Sequence, residues 1–195
     1  MFSKYNKVQK AVLQTTLQLI SEKDLQATSM ALISQMSGVS TGSIYHYFQS
    51  KEDIINELYK AIVQFNGEVV LKDFYSSEAI QERFKRTWEN VIRFNMNYSK
   101  GFQFIEQYSF SPYIGEAAKQ EACKGGWCGP LSQLYAEAIE QQLFIDLEPR
   151  LMVQMHFGSV VYLTKAYFQK YIDLPDDTIQ IVIHSFWNAV SKKQD

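Results

Sequence analysis

The chain has 195 residues, 46% of them hydrophobic and 14% aromatic, with a formal net charge of -2 at pH 7. That length supports one domain with a substantial core, or a small head on a larger body, and its two cysteines exclude a disulfide framework. The longest uncharged apolar-rich run, 14 residues between Arg150 and Lys165, falls short of the roughly 20 that span a bilayer.

The opening MFSKYNKVQK lacks the apolar stretch of a signal peptide, so a soluble cytoplasmic protein with no membrane partner is expected. Four prolines and nine glycines suit helices better than a β-rich fold. Charge is unevenly spread. Residues 1–51 carry five lysines against Glu22 and Asp24, while residues 52–195 carry 14 basic and 19 acidic groups. A mildly basic head on an acidic body fits a polyanion-binding end. The head contains no Arg, which removes bidentate guanine readout by that side chain.

Helical spacing of Val8, Ala11, Val12, Thr15, Leu17, Leu19 and Ile20 predicts a first helix over about 3–23. Asp24 ends it. Thr28 is placed to cap a short second helix, 29–36, with Ile33 inward. Gly38 supplies the positive φ of a tight turn. Ser40 caps a third helix, 41–47, and Ser50 with Asp53 forms a variant capping box opening a fourth, 51–73. Amphipathic spacing predicts further helices over 78–98 and 102–110, with Gly101 as a break between them. Another starts near Glu116 and is interrupted by CKGGWCGP at 123–130. Proline starts predict the helices 130–143 and 149–171, and Pro175 precedes the last, 176–191. No alternating strand pattern occurs, so the expected fold is all-α: a three-helix head over residues 1–50 and a larger helical bundle over 51–195.

The stretch from Thr28 to Lys51, TSMALISQMSGVSTGSIYHYFQSK, holds two short helices around a glycine turn. The bland reading is a generic helical hairpin. Three features favour a DNA reader. The second helix is two turns long. Its polar face carries Thr41, Ser43 and His46, which can reach base edges. Tyr45, Tyr47 and Lys51 can hold phosphates through hydroxyl and ammonium groups.

This segment resembles the DNA-binding domain of the tetracycline-repressor (TetR) family. The matching residues are T-S-M at 28–30, Ile33, G-V-S at 38–40, G-S-I-Y-H-Y-F at 42–48 and S-K-E at 50–52. The resemblance implies that Thr41, Ser43 and His46 face bases, that Ser29, Tyr45, Tyr47 and Lys51 hold phosphates, and that Val39, Ile44 and Phe48 are buried. Three positions depart from the pattern: Asp24 replaces a usual Gly, and Ser34 and Ser37 replace usual Ala. The serines are expected to loosen packing, and Lys4, Lys7 and Lys10 to offset the missing arginines. The resemblance further implies a ligand-responsive repressor that binds a near-palindromic double-stranded operator as a homodimer, with two recognition helices roughly 34 Å apart. It also implies release from DNA when a small effector tilts the fourth helix.

In the body, helix 149–171 is apolar nearly all round and the last helix covers more than one face, which asks for a second subunit as well as a core. Val161, Lys165, Ile179, Ile183, Phe186 and Trp187 are the interface candidates. The aromatic surplus suits a largely apolar cavity with a few polar handles, for an apolar or aromatic effector. Its candidates are Phe65, Trp88, Phe104, Tyr108, Trp127 and Tyr162, with Gln107 and His156 as handles. For His156 the alternative is a satisfied core histidine. Cys123 and Cys128 can bridge in the CKGGWC turn, with Lys124 favouring a thiolate, but they lack the His pair of a metal site. No cofactor is expected. The sequence contains no Gly-rich phosphate loop, HExxH or GxSxG, so an enzyme is disfavoured; a helical carrier with a vestigial head is the other rival.

Overall fold

A computed structural model describes residues 1–192, and among these the chain is all-α. Ten helices follow in order: α1 (Lys7–Lys23), α2 (Met30–Ser37), α3 (Thr41–Tyr47), α4 (Lys51–Val70), α5 (Ile80–Asn97), α6 (Ser99–Tyr108), α7 (Glu116–Cys123), α8 (Cys128–Glu140), α9 (Pro149–Phe168) and α10 (Asp176–Val190). The only β-type pairing among the described residues is one antiparallel bridge between Phe144 and Ser191. Among the described residues, no helix is long and apolar enough to cross a membrane.

Two compact units emerge, and they do not divide at residue 51. The first comprises Met1–Phe65 and Tyr98–Gly125; the second comprises Asn66–Asn97 and the chain from Gly126 on. The first therefore includes α6 and α7 with the head. Phe104 and Tyr108 of α6, and Ile114, Ala118 and Ala122 beyond it, belong to the same hydrophobic cluster as Val12, Ile33, Ile44 and Leu58. Local sequence signals could not reveal this arrangement, because α6 lies about 60 residues beyond the helices it completes. The second unit packs α8 on α9 and α5 against α8, α9 and α10.

Several boundaries move for identifiable reasons. α1 starts at Lys7 because Asn6 forms a full capping box with Gln9. Ser29, not Thr28, caps α2 by accepting the Leu32 N–H. Thr28 is buried and donates its hydroxyl to the Asp24 carbonyl at 2.7 Å. Gly101 does not break the chain. It sits inside α6, where a missing Cβ lets the Ile62 and Met1 side chains approach to 3.4 Å of that position. α8 begins at Cys128, two residues before Pro130, which still lies in the first turn where its missing N–H costs nothing. α4 and α9 end three residues earlier than expected, at Val70 and Phe168.

Candidate nucleic-acid interface and the aromatic core of the body

Gly38 adopts φ 68° and ψ 13° at the end of α2, the left-handed turn expected of it. Ser40 then caps α3 by accepting the Ser43 N–H at 3.2 Å. Within α3 only Ile44 is buried. Thr41, Ser43, Tyr45, His46 and Tyr47 are all exposed, the tyrosines at 51% and 40%. A helix that commits one side chain to the core and leaves its polar groups in solvent is shaped for an external partner. Ser29 is exposed at the start of α2, its hydroxyl already engaged in the cap. Lys51 is half-buried and donates to the Leu25 carbonyl at 3.2 Å, which holds its stem in place and leaves two N–H groups on the ammonium.

The departures from the family pattern have structural accounts. Ser34 donates to the Val39 carbonyl at 2.7 Å and accepts from the Thr41 hydroxyl at 3.3 Å. Ser37 accepts the Val39 N–H at 3.3 Å. These serines tie down the turn between α2 and α3 and do not loosen it. Asp24 occupies φ 95° and ψ 171°, a conformation that favours glycine. Its carboxylate offsets the strain by accepting the Ala27 N–H at 2.8 Å. Asp53 closes the cap of α4 by accepting from the Gln49 N–H, while Ser50 accepts the Asp53 N–H. Lys4 is exposed, and its ammonium donates to Gln64 and lies 5.1 Å from the Tyr5 ring centre. Lys7 and Lys10 are exposed on α1.

The proposed pocket residues separate into groups. Trp88, Trp127 and His156 converge in the second unit. The Trp88 ring lies 5.9 Å from Trp127 and 5.6 Å from His156. Phe104 and Tyr108 fill the core of the first unit, and Phe65 packs edge-on against Tyr98 at 5.0 Å. Gln107 is exposed, and Tyr162 is 75% exposed. Neither of these two lines an interior.

The second unit's centre is a chain of buried polar aromatics. The Trp88 indole N–H donates to the Tyr135 hydroxyl at 2.9 Å, and that hydroxyl lies 2.6 Å from Nδ1 of His156. With its oxygen accepting from Trp88, the Tyr135 O–H donates to Nδ1, so the neutral His156 carries its own proton on Nε2. Burial pushes the His156 imidazole down to about 4, so it is neutral, and pushes the Tyr135 phenol up. His156 also stacks on Phe186 at 4.8 Å. Around them, Phe84 meets Tyr135, Phe144 and Trp187 at 5.2 to 5.9 Å. The sequence marks Phe84 as an inward position of the 78–98 helix, where it is buried, but nominates neither it nor Tyr135 for the site. Their signal was the apolar stripe of α8 and α5, which any core residue shares. One further atom stands out: Asn95 Nδ2, on the same face of α5 as Trp88, is the only buried side-chain polar atom without a partner among the described residues.

The interface candidates also change. Ile179, Ile183 and Phe186 are buried in their own unit, and Trp187 lies edge-on to Phe144 at 4.7 Å. Periodicity marked two apolar faces on these helices without saying which one turns inward. The outward faces carry Leu151, Met155 and Tyr162 on α9 and Ile181 on α10, all exposed. Val161 is half-buried and Lys165 exposed. Cys123 and Cys128 are exposed and are not joined by a disulfide.

A capped, outward-facing two-turn helix after a glycine turn, borne on an all-helical chain, defines a helix-turn-helix protein. Comparison with known proteins agrees. The family described as "Bacterial regulatory proteins, tetR family" matches residues 12–58, and "Tetracyclin repressor-like, C-terminal domain" matches residues 79–191. The chain belongs to the TetR family of DNA-binding transcriptional regulators. It is 30% identical over 157 residues to the transcriptional repressor KstR2 of Mycobacterium tuberculosis, covering 76% of this chain and 78% of that one. An HTH-type transcriptional regulator of Haemophilus influenzae is 22% identical over 185 residues, covering 93% and 94%. Among solved structures, a TetR-family regulator from Marinobacter aquaeolei superposes with a TM-score of 0.87 at 18% identity, covering 99% of this chain and 100% of that one. AibR, solved with isovaleryl coenzyme A and operator DNA, gives 0.73 at 19% identity, covering 94% and 98%.

Proposed function

We propose that the protein is a ligand-responsive repressor that binds a near-palindromic operator as a homodimer in the cytoplasm. Thr41, Ser43 and His46 read base edges, and Ser29, Tyr45, Tyr47 and Lys51 hold phosphates. The observation that carries this reading is α3, with five exposed hydrogen-bonding side chains on a helix fixed at its start by Ser40. Repression is supported by the relative KstR2, a repressor. Pairing is supported by the outward apolar face of α9 and α10, where Gly158 has open space above it that lets a partner helix approach closely.

The effector is a largely apolar molecule carrying a hydrogen-bond acceptor, bound in the second unit. Asn95 Nδ2, buried without a partner, supports the acceptor, and the aromatic side chains of the second unit support the apolar portion. AibR holds a coenzyme A ester. Here Arg83, Arg86 and Arg93 of α5 are each paired with a carboxylate, Glu137, Glu78 and Glu89 respectively, which favours an uncharged effector over one rich in phosphate.

An electrophoretic shift assay on DNA from upstream of the protein's own coding region tests the reader. Tyr45→Phe weakens binding to every sequence alike, and Ser43→Ala alters the preferred site. Unchanged affinity and preference in both variants would refute the assignment.

A further inference from the structure

The turn between α1 and α2 is gripped at a single peptide position from two sides. The Leu25 N–H donates to the hydroxyl of Tyr108, at the end of α6, at 3.3 Å. The Leu25 carbonyl accepts from the Lys51 ammonium, at the start of α4, at 3.2 Å. Leu25 is buried and so is Tyr108. A buried backbone N–H left without a partner is costly, so the Tyr108 hydroxyl has a defined task.

The position of that turn explains why the task concerns DNA. Asp24 before it is the strained residue that ends α1. Ser29 after it caps α2, only four residues on. Lys51 is one of the few cations on a head that contains no Arg. One N–H of its ammonium is spent on Leu25, which fixes where the other two point.

We propose that Tyr108 is a positioning residue for DNA binding, acting through the Leu25 peptide to hold Lys51 against a backbone phosphate. It touches no DNA itself. This assigns a residue of α6, which sequence reasoning placed in the effector pocket, to the affinity of the reader. The inference rests on the reading of Lys51 as a phosphate contact. A second bond from the same region provides a control. Tyr113, beyond α6, accepts from the Gln26 side chain at 3.1 Å, and both residues are exposed, with no bond to Lys51.

The test is a double-mutant cycle on operator affinity, measured by fluorescence anisotropy with the full chain at several salt concentrations. Lys51→Ala weakens binding and lowers the magnitude of the salt slope by about 0.9 for each protomer's lost phosphate contact. Tyr108→Phe weakens binding about five- to tenfold, the loss expected of one neutral hydrogen bond, and lowers the salt slope in the same direction. In the Lys51→Ala background, Tyr108→Phe has no further effect, because the residue it positions is gone. Tyr113→Phe stays within about twofold of wild type, the range of a surface change.

Additive losses in the double mutant, or an equal loss in Tyr113→Phe, would assign Tyr108 a general packing role and overturn the proposal. A wild-type salt slope in Tyr108→Phe would do the same. If Lys51→Ala alone binds normally, the phosphate reading of Lys51 fails, whatever Tyr108 does. The Leu25 amide resonance, followed by 15N-edited NMR, checks that Tyr108→Phe remains folded: it shifts while the α3 resonances keep their dispersion. Collapse of that dispersion moves the test to Tyr108→His, whose ring nitrogen can accept the Leu25 N–H and is expected to restore affinity toward wild type. No such recovery would also count against the proposal.

Discussion

α3 and α5 spend their aromatic residues in opposite ways. On α3, Tyr45 and Tyr47 leave their hydroxyls in solvent, and the helix is anchored by Ile44 alone. On α5, Phe84 and Trp88 are wholly buried, and the Trp88 N–H is satisfied by Tyr135, which is in turn bonded to His156. A polar aromatic atom is left free where a partner is to come from outside, and paired where the surroundings are closed. The same residue types therefore mark an exposed face in one region and a core in the other, and only their hydrogen-bond partners separate the two.

The comparison breaks most visibly at Phe84. Truncation to Ala removes a ring that touches Tyr135, Phe144 and Trp187, and is expected to cost about 3–5 kcal/mol in chemical denaturation. A cost below about 1 kcal/mol would mean that the second unit is loosely packed. Next in size is the acid sensitivity of His156. Its folded value of about 4 lies below the ordinary 6.5, so the unfolded chain binds the proton more readily. The stability contributed by the neutral imidazole is complete above pH 6.5 and is lost as pH falls to 4, amounting to about 3 kcal/mol by linkage. His156→Phe therefore flattens the profile of stability against pH between 6.5 and 4 relative to wild type. Parallel profiles would show that the ring is not held neutral. Smaller again is the Ser29 cap. Ser29→Ala is expected to lower stability by about 1 kcal/mol. It also weakens DNA binding if this hydroxyl or the N-terminus of α2 faces a phosphate. Operator affinity unchanged beyond the stability loss would confine Ser29 to capping.

The head was legible because its signals are local. Ser40, Gly38 and the Ser50 cap act within four residues, and all stand where the spacing places them. Its finer errors also arose locally: Thr28 and Ser29 are both capping residues, and only the bond from Thr28 to the Asp24 carbonyl decides between them. The body was legible as helices but not as a site. The aromatic surplus nominated Trp88 and Trp127 for a pocket wall, with His156 as a polar handle, yet could not separate them from Phe104 and Tyr108, which complete the other unit. Two apolar faces on α10 were visible, but their direction was not, so Ile179, Ile183 and Phe186 were assigned outward although they pack inward. Ser34 and Ser37 looked like defects in a helix pair because their partner, the Val39 backbone, lies in a turn that sequence does not resolve.

The central claim is that two Arg-free heads together read one site through hydroxyl groups and a few lysines. It is tested most directly by the salt dependence of operator binding. A titration of the wild-type protein on a labelled upstream fragment, with a scrambled duplex as competitor, yields both specificity and slope. With one phosphate each for Lys7, Lys10 and Lys51 of two protomers, the account predicts specific binding at two protomers per site with a log–log slope of magnitude about 5. Equal affinity for the scrambled duplex, or a slope of magnitude about 10, would contradict it.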